Sequence, residues 1–207
     1  MKALSLALLL GLQTTSPQIT VPPYPNAFRG GEVVAVIEQK RNHLQVTIVH
    51  TEEPFEEPVR EALEQWRLPS GRDNAVVVVN FRDWLDMEST ENGVKLNPAS
   101  HKIQCPKSKL PLPMPALIVD PLYPELITLM VSISVVVRLD ISQAGTVKDV
   151  DVLQGKDELN QVVIEAVRKW TFTPARDELD NPIESEAYAI CVYRPAPSPP
   201  QDYSPSY

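Results

Sequence analysis

The sequence predicts an α+β protein of two tandem two-layer domains, each a three-stranded antiparallel sheet in the order β-β-α-β with a helix covering one face. Three observations predict it. Shifted by the spacing of Trp66 and Trp170, the stretch 55–66 (FEEPVREALEQW) falls on 159–170 (LNQVVIEAVRKW), and Val59/Val163, Glu61/Glu165, Ala62/Ala166 and Trp66/Trp170 are identical. Each stretch has apolar residues at helical spacing, follows two Val/Ile-rich runs and precedes a third. Prolines cluster at 17–25, 98–124 and 195–205, which punctuates the chain between and after the units.

The first unit is assigned to residues 22–85. Residues 32–38 (EVVAVIE) form a β-branched run, 39–42 a polar turn, and 43–50 (HLQVTIVH) an alternating strand with Leu44, Val46 and Ile48 on one face. Glu52, Glu53, Glu56 and Glu57 surround Pro54 and Pro58. Acid suits the positive end of a helix, and proline is tolerated in its first turn. Phe55, Val59, Ala62, Leu63 and Trp66 then line one helical face, and Pro69 and Gly71 stop the helix. Residues 75–81 (AVVVVNF) are the third strand. Val76-Val77-Val78-Val79 is apolar on both faces, which predicts cover by the other unit or by a second chain rather than by solvent.

The second unit is assigned to 117–194. Residues 123–127 lead in as a short helix, and 134–141 (SVVVRLDI) place Val135, Val137, Leu139 and Ile141 on one strand face. Residues 142–145 turn the chain, with Gly145 as the left-handed residue. In 146–153 (TVKDVDVL), Val147, Val150 and Val152 change parity, which predicts a bulge. Asp157 is the expected helix N-cap, and Leu159, Val162, Val163, Ala166, Val167 and Trp170 form the apolar stripe. Pro174 ends the helical region, and 186–193 (EAYAICVY) is the third strand. Trp66 and Trp170 each fill the space between helix and sheet. A unit of about 65 residues has a thin core, so the two are expected to lean on one another. Residues 86–116 read as a Pro-rich linker and 195–207 as a disordered tail.

The N-terminus has one Lys and then about ten apolar residues. As a helix this run measures about 15 Å, half of a hydrocarbon core of about 30 Å. It is read as a signal peptide over 1–16, with an uncleaved membrane anchor as the alternative. The net charge of −8 lacks the phosphate-seeking field of a nucleic-acid binder. No G-x-S-x-G, phosphate loop or H-E-x-x-H occurs, so neither enzyme activity nor a cofactor is assigned. His43 and His50 bracket one predicted strand and point to opposite faces. His101 and Cys105 are spaced like half a metal site without a second half, so no metal is assigned either. Cys105 and Cys191 permit a disulfide between linker and last strand, or two separate thiols; spacing leaves both open. Arg72-Asp73 and Arg176-Asp177 read as local ion pairs closing the helix-to-strand loops. Trp84, in polar sequence past the third strand, suits docking on a sheet or anchoring a partner.

Tyr123-Pro124, the run Val135–Ile141, Gly145-Thr146-Val147, and Ala166-Val167-Arg168-Lys169-Trp170-Thr171-Phe172-Thr173-Pro174 occur in an order that resembles the TonB C-terminal domain family. Residues 22–85 resemble a degenerate copy, with Trp66-Arg67-Leu68-Pro69 standing where W-x-F-x-P is expected. The resemblance implies structural roles for Trp66, Trp170, Phe172, Pro174 and Gly145. It implies a periplasmic or secreted binding module whose free sheet edge takes up an extended peptide by strand addition, a segment of an outer-membrane transporter being the family's partner. The expected edge residues are Ala187, Tyr188, Ala189, Ile190, Val192 and Tyr193, with Val76 and Val78 in the first unit; such edges also permit a homodimer. A membrane-anchored energy transducer is the alternative, although the apolar start is half the needed length.

Overall fold

The computed structural model describes residues 19–27, 29–41, 43–83, 88–90, 93–95, 100–106, 110–122 and 131–195. The signal segment at 1–16, Trp84, the lead-in helix at 123–127 and the tail beyond Pro195 lie outside the described residues. In chain order the elements are β1 (Gly31–Lys40), β2 (His43–Thr51), α1 (Glu56–Glu64), β3 (Asn74–Arg82), β4 (Glu88–Thr90), β5 (Gly93–Lys95), β6 (Ser100–Lys102), β7 (Met114–Val119), β8 (Ile133–Ile141), β9 (Val147–Gln154), α2 (Asp157–Val167), β10 (Thr171–Thr173), β11 (Ala175–Arg176), β12 (Pro182–Ile183) and β13 (Ser185–Tyr193). The order β-β-α-β therefore occurs in both halves, as β1-β2-α1-β3 and β8-β9-α2-β13.

The mixed α+β composition stands, but the two-domain expectation is corrected. The halves share one six-stranded sheet of order β2-β1-β3-β13-β8-β9. The closing strands β3 and β13 meet at its centre and run parallel, with Ala187 opposite Val76 and Ala189 opposite Val78. All other neighbours in this sheet are antiparallel. The physical reason lies in the two-sided apolar runs. A three-stranded unit with one helix leaves alternate residues of Val76–Val79 and 187–193 facing water. Side-by-side pairing removes that cost by making both strands central.

Parallel pairing of equivalent strands also sets the layers. It relates the halves by rotation about an axis along the strands, which turns their helices to opposite faces. Side-chain alternation shows this directly. Val33, Ala35, Ile37, Val77, Val79, Tyr188, Ile190 and Val192 pack with Val59, Leu63 and Trp66 of the α1 side. Val34, Val36, Val76, Val78, Ala187, Ala189 and Cys191 pack with Leu159, Val163, Val167 and Trp170 of the α2 side. The molecule has three layers with two cores, divided by the sheet.

The expected linker is corrected as well. Strands β6 and β7 join β10 in a small sheet of order β10-β7-β6, and Ile103, Leu112, Met114 and Ile118 are buried in the α2-side core. Each tryptophan secures a strand or segment beyond its own helix. Trp170 Nε1 donates to the Val119 carbonyl at 2.8 Å, and Trp66 Nε1 donates to the Thr20 carbonyl at 2.7 Å.

Two local details refine the second half. The β8–β9 register shifts between Val136 and Val137 and between Asp140 and Ile141, where the parity change predicts a bulge. Asp157 is the first helical residue rather than the N-cap. Lys156 occupies the cap position without a side-chain hydrogen bond, and Asp157 and Glu158 supply negative charge to the first turn.

Gly145 explains why its turn and the W-x-F-x-P segment go together. It has φ of +80°, and a Cβ there would lie 1.9 Å from the Phe172 carbonyl oxygen. The Phe172 amide donates back to the Gly145 carbonyl at 2.7 Å. Gly145→Ala is expected to cost about 1–3 kcal/mol from conformation alone, with the clash added. Gly71, with φ of +86° and open space around it, supplies the control. Denaturant unfolding should show the Gly145 variant clearly less stable than Gly71→Ala; equal losses would refute the close-approach argument.

Candidate functional site

The residues expected to form a peptide-binding edge are not at an edge. Ala187, Tyr188, Ala189, Ile190, Val192 and Tyr193 are buried in β13, which pairs with β3 on one side and β8 on the other. Val76 and Val78 are fully buried in β3, between β1 and β13. The position where the resemblance places an incoming strand is filled from within the chain. Closing strands apolar on both faces gain more from pairing with each other than from facing solvent.

The sheet ends instead at β2 and β9. Against β2 lies α1, and Arg60 donates to the Val46 carbonyl at 3.1 Å. In contrast, β9 is exposed along most of its length. It carries Lys148, Asp149 and Asp151 together with Val152 and Leu153, which are 38% and 37% exposed. Arg138 on β8 bonds to Asp151, and Lys148 Nζ lies 2.6 Å from Glu184 Oε1. Arg72 does not pair locally as expected. It bridges to Glu186 at the start of β13, an ion pair between the halves. Arg176 does stay within its loop, but its partner is Asp180 in place of Asp177, with Nη1 3.5 Å from Asp180 Oδ2.

Cys105 and Cys191 stand as free thiols, not as a disulfide. Burial pushes the Cys191 thiol up to about 12 and the Cys105 thiol up to about 11. At pH 8 a thiol titrating near 11 is a thiolate for only about one part in a thousand. Alkylation at pH 8 is therefore expected to be slow at Cys105 and absent at Cys191 in the folded protein, with both labelled in denaturant. Mass spectrometry reads this directly. Prompt labelling of folded Cys191 would contradict its burial, and no labelling of the unfolded, unreduced chain would reveal a disulfide.

A polar cluster lies on the α2-side face, where the small sheet crosses β1. Glu32, the second residue of β1, is only 4% exposed. His101 on β6 is hydrogen-bonded through Nε2 to Glu32 Oε2, across 69 residues of chain. That hydrogen bond raises the His101 pKa above its ordinary value, against the opposing effect of burial. His50, near the end of β2, places Nε2 3.3 Å from Glu32 Oε1. Asp120 follows β7. Its Oδ1 accepts from Asn80 Nδ2 at 2.7 Å, and its Oδ2 lies 3.0 Å from Arg82 Nη1. Donor atoms of Glu32, His101 and Asp120 all lie within 4.8 Å of one another. Pairwise sequence spacing gave His101 only Cys105 as a neighbour; Glu32 and Asp120 reach it through the fold.

A shallow pocket of about 170 Å³ is lined by Arg72, Asn74, Pro111, Glu184, Glu186 and Tyr188. Ligand pockets usually enclose about 300 Å³ or more, so this one is small for a substrate. Among the described residues, no helix is long and apolar enough to cross a membrane.

Residues 121–194 match the family described as Gram-negative bacterial TonB protein C-terminal. The match spans β8 through β13, the half whose turn glycine meets Phe172. No curated protein and no solved structure matches the chain.

Proposed function

We propose that this chain is an exported, non-enzymatic cell-envelope protein that binds protein or peptide segments by strand addition and serves TonB-dependent outer-membrane transport. The observation that carries the reading is the family match over 121–194, a periplasmic protein-interaction domain. The first half is read as a degenerate copy of the same unit: it repeats the β-β-α-β order and ends its helix region with Trp66.

Since β13 is sealed by β3, strand addition is assigned to the outer edge of β9. That strand exposes backbone and two apolar side chains, Val152 and Leu153, to an incoming segment. Its bulges, Lys148 and aspartates are features that discourage indiscriminate edge pairing, which favours a selective partner over general aggregation. Affinity then comes from main-chain hydrogen bonds and specificity from alternate side chains.

The test is a titration of isotope-labelled protein with extended peptides from outer-membrane transporters. Shifts confined to amides 147–154 support the assignment. Shifts at 187–193 with loss of β3 signals would mean that the peptide displaces the first half and would refute the edge assignment. Silence at both places would sink strand addition. Concentration-dependent changes at 147–154 without peptide would instead report pairing of two copies through this edge. The mature N-terminus of protein isolated from its native envelope separates export by a cleaved signal from the alternative, an anchored transducer at the inner membrane.

A further inference from the structure

We propose that Glu32, His101 and Asp120, with His50 as a fourth donor, form a binding site for a divalent transition-metal ion of the zinc class. Mixed imidazole and carboxylate donors suit such ions. In a tetrahedral zinc site with bonds of about 2.0 Å, neighbouring donor atoms stand about 3.3 Å apart. His50 Nε2 and Glu32 Oε1 are 3.3 Å apart, and the donor atoms of Glu32, His101 and Asp120 fall within 4.8 Å. Glu32, His101 and Asp120 form the mutually close set, and His50 adjoins it through Glu32.

Two further observations point to a ligand there. His50 Nε2 is buried without a hydrogen-bond partner, its approach to Glu32 lacking hydrogen-bond geometry. Asn80, directly across from Glu32 in the β1–β3 register, is 2% exposed, and its Oδ1 has no partner. Buried acceptors left without donors are costly, and a cation is one way to satisfy them. Charge balance agrees. Arg82 stands against Asp120, whereas the partners of the buried Glu32 carboxylate are two imidazoles. Asn80 and Arg82 hold one Asp120 oxygen each and orient that carboxylate, as outer-shell partners of metal ligands do. The donors come from β1, β2, β6 and the residue after β7, so a bound ion would pin the small sheet to the large one.

The experiment uses untagged, chelator-treated full-length protein titrated with zinc chloride. The imidazole nitrogens are followed by NMR and binding by calorimetry. His43, exposed at the start of β2, is the internal control. The expected result is saturation at a single ion per chain, with His50 and His101 resonances shifting and His43 unmoved. His101→Ala and Glu32→Gln should each weaken binding at least about tenfold. Glu32→Gln keeps the side-chain shape should His101→Ala fail to fold. Unmoved His50 and His101 at excess zinc would overturn the proposal. So would equal response of His43, or full affinity in a folded variant.

Discussion

Residues 121–194, produced without the first half, are expected not to form a stable monomer. The family match stops at these bounds, but the fold does not. Removing the first half strips β13 of its pairing with β3 from Ala187 to Tyr193. It also uncovers Tyr188, Ile190 and Val192, which belong to the α1-side core with Val77, Val79 and Trp66. The Trp66 and Tyr188 rings meet edge to face at 5.7 Å. Burying one such side chain contributes about 1.5–3 kcal/mol. Three of them together match the whole stability of a small domain, about 5 kcal/mol or more. The fragment also lacks the Val119 carbonyl that Trp170 Nε1 bonds. Self-association through the bared strand is the expected escape, since an apolar edge is a template for pairing. Light scattering and amide spectra decide the matter. A monodisperse, cooperatively melting fragment would show that the halves are independent and that the shared sheet is not required.

Replacing Trp66 or Trp170 by alanine should be the most damaging single change. Trp66 and Trp170 are 3% and 1% exposed. Losing a buried ring of this size costs about 3–5 kcal/mol. Each variant also strands a backbone carbonyl, Thr20 or Val119, at a further cost of about 1–3 kcal/mol if no water reaches it. Total loss then approaches the stability of an ordinary domain. The two variants should differ in where the damage appears. Trp66→Ala should release the segment 19–21, and Trp170→Ala the strand β7, as read by amide hydrogen exchange. Tryptophan-to-phenylalanine variants keep most ring packing and lose the N–H, so they should fall between wild type and alanine. A loss below about 1 kcal/mol in either alanine variant would contradict the core assignment.

The sites legible in the sequence share one property: they are local. The stripe from Phe55 to Trp66 and that from Leu159 to Trp170 read as helices because helical spacing is a local period, although α1 ends at Glu64 and α2 at Val167, short of both tryptophans. The bulge in β9 shows as a change of parity within eight residues. Val76–Val79 signals a strand covered on both faces, since a half-solvated strand alternates apolar with polar residues. The run does not say what the cover is. Closing strand β13 sits more than a hundred residues further on, and its parallel pairing has no signature in either strand alone. The expectation of a free closing edge failed for this reason. Likewise, the cluster at Glu32 draws donors from four separate segments, so no spacing rule finds it.

Sequence alone determined the β-β-α-β elements of each half, the buried tryptophans and the left-handed turn at Gly145, because backbone preference and side-chain period act over a few residues. Tertiary structure alone decided that the halves fuse through β3 and β13, that their helices fall on opposite faces, and that Glu32, His101 and Asp120 converge with His50 against Glu32. Those outcomes depend on which two apolar surfaces meet. Many pairings satisfy the same local pattern, and the one that leaves the least apolar strand in water prevails.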